Sequence, residues 1–385
     1  MKSMRSPISL LSVIALAAVG TSAPLFSTET PPTGTQAGMR GIFLTLVTAY
    51  GYSLDPQAFE SPSNHARVRE ALRALSANAS EFEGHGGGLN PSFGYLRHSL
   101  ARDARDVAGR FDRGQFMGAR FVLGEIVQNC VTCHTKLPAR TSFELGAEFT
   151  KQAEIHKLPP VERVNLEVAA RQFAVALDTY EQLFADPKTT PETLELVNAF
   201  AGYMRVCIGA LNDATRPLRV FEAYSQRSDL SPAQRERVTG WVAALKNTDL
   251  EKSARNELPT ARRLVAEAET ARKSGEDRSG LVDYVVATSL LHRFVETNPQ
   301  NPSDLSEAYY LMGVAESRIT RSYWISETDY LLEQAIRANP KTAVAKQAYA
   351  FLREHSISTH QESSAREVPP EFRANLEELR KLIEE

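Results

Sequence analysis

The stretch "FMGARFVLGEIVQNCVTCHTKLP" (Phe116–Pro138) combines a helical stripe with a chemical motif. Phe116, Ala119, Leu123, Ile126 or Val127, Cys130, His134 and Leu137 recur at steps of three and four, which places them on one face of a helix. Asp112 and Gln115 are spaced as a capping box with Asp in place of Ser or Thr, and Pro138 ends the segment. Two of the chain's three cysteines fall in the last turns, three apart, with a histidine directly behind.

Upstream, three more segments carry a helical period. Met39–Leu54 is apolar nearly all round and is expected to be buried. The second opens near Ser63 or Asn64 and places Val68, Leu72, Leu75, Ala79 and Phe82 on one stripe before "GHGGG" stops it. The third opens at Asn90 with Pro91 in its first turn, and its stripe is Phe93, Leu96, Leu100, Ala104, Val107 and Phe111. No strand-like alternation stands out anywhere, so the chain reads as all-α, beginning with a four-helix bundle.

Cys130 and Cys133 are an i, i+3 pair, and His134 is i+4 from Cys130, so all three project on the side that faces into that bundle. Two thiols so spaced can add to the two vinyl groups of one haem, leaving the adjacent imidazole to reach the iron as proximal axial ligand. A chain of this composition contains a Cys-x-x-Cys-His by chance about five times in ten thousand. Three other readings compete. A disulfide across one helical turn has poor geometry. A thioredoxin-like pair belongs after a strand, at a helix start. A zinc site needs a fourth ligand, and His156 is the only histidine close downstream. The expected cofactor is therefore one covalently attached haem c, held by Cys130 and Cys133 with His134 on the metal.

The remaining bulk features agree with an exported soluble protein. A chain of 385 residues is long for one core, so two domains are expected. Net charge is -3 and no basic run interleaves with aromatics, which gives no support for nucleic-acid binding. Lys2 and Arg5 precede the apolar run "PISLLSVIALAAVG", and "TSAP" follows, so residues 1–23 read as a signal peptide and the location as periplasmic. Pro24 is awkward beside a cleavage point, and an uncleaved anchor is the alternative. Residues 24–38 read as a flexible leader.

Residues 39–140 resemble the cytochrome c′ family, including its low-spin relatives. "NCVTCH" after "GARFVLGEIVQ" carries the resemblance most strongly, "VREALRALSANASEF" looks like the family's second helix and "RGIFLTLVTAYGYSLDP" like its first. The resemblance implies an antiparallel four-helix bundle with the haem near the end of the last helix. It places Leu44 on the open side of the iron and Arg40 near the haem edge, with Met39 a possible sixth ligand if the first helix begins earlier. It also implies a homodimer through a helix face. The family often has a basic residue one turn after the histidine; here that position is Pro138, and Lys136 and Arg140 are the nearest substitutes.

Residues 141–160 read as a linker marked by Pro159-Pro160. Helices then follow one another to residue 355, the first expected to run unbroken from Val161 to Phe184. Another is expected from Thr190–Pro191 to Leu211, and a further one opens at Ser231–Pro232. "LLHRFVETNPQNP" and "LLEQAIRANPKTA" are similar, with Asn-Pro pairs 41 residues apart. This resembles the tetratricopeptide (TPR) class, although the period exceeds the usual ~34 residues. A TPR-like solenoid over 161–355 would present a concave surface to a protein partner. Residues 356–385 read as a tail whose Phe372, Leu376, Leu379 and Ile383 make a terminal amphipathic helix.

Together these readings describe a monohaem electron carrier rather than an enzyme, with the repeats docking a redox partner protein or a larger assembly. Two alternatives are a haem protein that binds or senses nitric oxide or carbon monoxide, and an interaction scaffold whose haem is structural. The other histidines, His292 among them, read as surface or loop residues. Cys207 reads as a buried small hydrophobe, and Met117 and Met204 as packing residues.

Overall fold

A computed structural model of the chain describes residues 34–83, 91–136, 144–274, 277–297, 299–320, 327–362 and 370–384. The expected signal peptide, most of the leader, the "GHGGG" stretch, Pro138 and Arg140 lie outside the described residues. All regular structure among the described residues is helical.

Five helices build the first part: α1 (Gly34–Ser53), α2 (Pro56–Glu60), α3 (His65–Glu83), α4 (Pro91–Asp112) and α5 (Phe116–Lys136). α1 packs on α3, α3 on α4, α4 on α5, and α5 returns to α1. The stripes of α3 and α4 are buried as their period requires. α1 starts five residues before the expected Met39 and buries one face only, through Ile42, Phe43, Leu46, Val47 and Ala49. Asp112 does not cap α5. It ends α4, where Arg69 and Arg73 donate to it at 2.7 and 3.1 Å, and Gly114 at φ 73 turns the chain so that Gln115 precedes α5.

α6 (Glu144–Gln152), a 3₁₀ turn at Ile155–Lys157 and α7 (Pro160–Ala169) come next. Within the stretch expected to be a linker, Phe149 and Ile155 are buried in the first core, and Leu166 and Ala169 of α7 join them there. The expected unbroken helix from Val161 to Phe184 is interrupted at 170–172. There Arg171 adopts φ 56 and its N–H donates to Val168 O at 2.8 Å, before α8 (Phe173–Ala185) begins.

α9 (Pro191–Leu196) and α10 (Ala199–Met204) divide the helix expected from Thr190 to Leu211, with Asn198 at φ 55 between them. α10 continues as a π-helical turn over Arg205–Ala210. α11 (Thr215–Tyr224), α12 (Pro232–Lys246) and α13 (Leu250–Ser253) complete an aromatic core in which Phe184, Phe200, Phe221 and Trp241 meet. The Ser231 capping box of α12 forms as expected.

The final helices are α14 (Glu257–Ala271), α15 (Leu281–Glu296), α16 (Pro302–Ile319), α17 (Glu327–Ala338), α18 (Ala343–Glu362) and α19 (Pro370–Glu384). From α14 to α18 each helix packs on the next, and α14 and α16 also pack on the next but one. α18 runs past the expected limit at 355, and α19 docks on α17 and α18, burying Leu379. None of the described helices is long and apolar enough to cross a membrane.

Candidate haem site

α5 is the helix shared by both parts of the molecule. Ala119, Val122, Leu123, Ile126 and Val127 belong to the first core, whereas Val131 belongs to the second. The buried Asn129 amide donates to Leu96 O at 3.2 Å and ties α5 to α4. Past the motif, the Thr135 hydroxyl donates to Val131 O at 2.8 Å and keeps the last turn helical.

Cys130, Cys133 and His134 line one cavity. Its empty space, open mouth included, is about 1290 Å³. Met39, Ile42, Phe43 and Leu46 of α1 form one wall at the spacing of a single helical face. Phe82, Phe93, Leu96 and Leu100 come from α3 and α4, and Phe149, Ala169 and Ala170 close the side made by the later segment. Among the described residues of the wall, Arg97 and Arg171 are the charged ones.

Chemistry at the motif follows from burial. Burial pushes the Cys130 thiol up to about 12 and the Cys133 thiol up to about 11, the Lys136 charge opposing in the second case. Both cysteines are free thiols. A redox-active pair works through a stabilised thiolate, so these two thiols are in the wrong environment for that role. Burial, with the charge of Arg171, holds the His134 imidazole down to about 4 against the pull of the Ala169 and Val168 carbonyls. The ring is therefore neutral near pH 7, and its buried Nδ1 has no hydrogen-bond partner among the described residues. A neutral imidazole with one unengaged nitrogen, its ring held beside carbonyls, is the form that binds a metal. Among the described residues no three His, Cys, Asp or Glu side chains converge as a metal-holding group.

The other residues singled out fall differently. Met39 is on the cavity wall, because α1 starts early. Leu44 and Arg40 are not on it. Leu44 is half-buried on another part of α1. Arg40 turns to α6, donating to Gln152 Oε1 at 2.9 Å and lying 5.6 Å from the Phe149 ring. The spacing that carried these two from the resemblance assumed a different rotation of the first helix. Lys136 does not stand free beside the histidine: it pairs with Glu327 and Glu316. His292 is buried rather than on the surface, Met117 is exposed rather than packed, and Cys207 and Met204 are buried as expected. Arg97, Phe149 and Arg171 carry no sequence signal for this site, since nothing local marks a side chain that arrives from a distant turn.

No family model, curated protein or solved structure matches the chain.

Proposed function

We propose that this chain is an exported monohaem c-type cytochrome that carries single electrons. Cys130 and Cys133 hold the cofactor through thioethers, and His134 supplies the proximal ligand. One observation carries the reading: the two thiols and an imidazole with an unengaged nitrogen face the same large, mainly apolar cavity. The residues present fit the group. Both cysteines are free, as covalent attachment requires, and the aromatic and aliphatic wall suits a flat macrocycle.

Bound there, a haem supplies a reversible one-electron Fe(III)/Fe(II) couple. The chain's own residues set its surroundings. Phe82, Phe93, Leu96, Leu100 and Phe149 exclude water, which favours the less charged reduced state. Met39 lines the same wall, and its thioether would be the residue to complete the iron's coordination in a carrier, where an open gas-binding site would lack it. The succession of α1, α3, α4 and α5 supports the cytochrome c′-like bundle. The pairwise stacking from α14 to α18 supports a TPR-like half that docks a protein partner.

The decisive experiment is a pyridine haemochrome spectrum with intact mass on protein from a host that matures c-type haem. One haem mass per chain, lost in the Cys130→Ala, Cys133→Ala variant, is expected; zinc in place of iron, or no added tetrapyrrole, overturns the reading. Carbon monoxide added to the reduced protein separates the carrier, which resists it, from the gas-binding alternative.

A further inference from the structure

One side of the cavity is closed by a short helix. α6 is nine residues long and turns two buried residues inward, Gly146 and Phe149, of which Phe149 lines the cavity. Its outer residues Ala147, Glu148, Lys151 and Gln152 are exposed, so at this side α6 stands between the cavity and solvent. The end of α6 leads to Glu154, a non-glycine residue at φ 51, a backbone state held only by its surroundings. Beyond that joint the chain is fixed. Ile155 is buried in the first core, and Pro159 and Pro160 lead stiffly into α7. A short element that ends at one strained residue beside a fixed segment has the form of a hinged part.

Arg40 of α1 grips one turn of α6. It donates to Gln152 Oε1 at 2.9 Å, lies 3.9 Å from Glu148 Oε1 and stands 5.6 Å from the Phe149 ring. Such contacts are each weak when exposed, and one buried ring is a small anchor for a helix, so α6 can open without the rest of the bundle unfolding. We propose that α6 is a hinged cover on the cavity and that Arg40 is its latch, a positioning residue that controls entry without standing on the cavity wall. The identity of the occupant rests on the haem reading. The cover itself does not, because Cys130 and Cys133 of the empty chain report whether a broad reagent can enter.

Fluorescein maleimide, a broad flat thiol reagent, tests this on the full-length chain without cofactor, with labelling of each cysteine followed by peptide mass. Cys207, buried in the later core, is the internal reference. Arg40→Ala should speed the labelling of Cys130 and Cys133 by about two- to fivefold relative to Cys207, and Arg40→Lys should speed it less. Unchanged relative rates, or a Cys207 rate that rises in step, overturn the cover. Arg40 lies outside the cavity and all three thiols are read in one sample, so general loosening of the variant cannot imitate the expected result. Selective labelling in a chain that acquires no tetrapyrrole keeps the cover and removes the haem reading. A haem-loaded parent whose empty form shows no effect of Arg40→Ala removes the cover alone.

Discussion

Lys136 Nζ lies 3.5 Å from Glu316 Oε1, two residues after the motif histidine and across the boundary between the two parts of the molecule. Lys136 also bonds Glu327, and Arg205 bonds the second oxygen of Glu316. The side chains of Lys136, Glu316 and Glu327 are nearly inaccessible to solvent. Burial alone would raise both carboxylates. Arg205 and Lys136 nevertheless hold Glu316 down to about 2, whereas Glu327, sharing Lys136 with it, is pushed up. Removing one member strands a buried charge. Lys136→Met should therefore cost about 3 kcal/mol of unfolding free energy, and adding Glu327→Gln should recover part of it. Urea denaturation of the two variants measures this; an unchanged midpoint in Lys136→Met would contradict the cluster.

Acid should unfold the protein earlier than its surface carboxylates require. His292 lines a second cavity with Lys136, Arg205 and Glu316, and its buried Nε2 has no partner among the described residues. Burial and the Lys136 charge hold its imidazole down to about 3 from an ordinary 6.5. The unfolded chain takes up a proton below 6.5 while the folded chain refuses it until about 3, so stability falls as pH drops across that window. Glu316 adds to the loss from 4.5 down to about 2, because its ionised form is the one the fold favours. Stability measured at pH 7 and pH 5 should fall in the parent chain and fall less in His292→Gln. An equal fall in both proteins rejects the assignment.

Gly209 has no room for a side chain. A methyl group placed there would stand 2.8 Å from the Thr135 carbonyl oxygen, which belongs to the end of α5. Gly209→Ala should push the π turn and the motif helix apart, costing about 1–3 kcal/mol. Gly240→Ala, where a methyl would meet nothing inside α12, is the control and should hold or raise the melting temperature, by helix propensity worth up to about 1 kcal/mol. Thermal melts of both variants test the contrast.

Met39 and Leu44 make opposite predictions for the absorption spectrum. Met39 lines the cavity and Leu44 does not. In haem-loaded protein, Met39→Ala should convert a low-spin spectrum to high-spin and open the reduced iron to carbon monoxide. Leu44→Ala should change neither. The reverse result would restore the position implied by the family resemblance.

Much of the local structure is readable from residue order. The four-residue and three-residue steps of Val68 to Phe82 and of Phe93 to Phe111 require helices with one buried face, and both formed. Cys130, Cys133 and His134 could be placed on one helix face from their spacing alone, and they line one cavity. Breaks inside helices were missed at Ala170–Gln172 and Asn198, where no Gly or Pro announces the turn and non-glycine residues take positive φ. His292 was misplaced because its burial depends on helices that pack against α15, not on its neighbours in the chain.

Periodicity and motif spacing are short-range properties, so residue order was enough for an all-helical chain with two thiols and an imidazole on one face of its fifth helix. Which side chains surround that face is a long-range matter. Phe149, Ala169 and Arg171 reach it, and Arg40 and Leu44 do not, because helix rotation and the docking of α6 and α7 are set by burial across the whole assembly. No local pattern encodes that choice; it emerges when apolar faces far apart in the chain compete for the same interior.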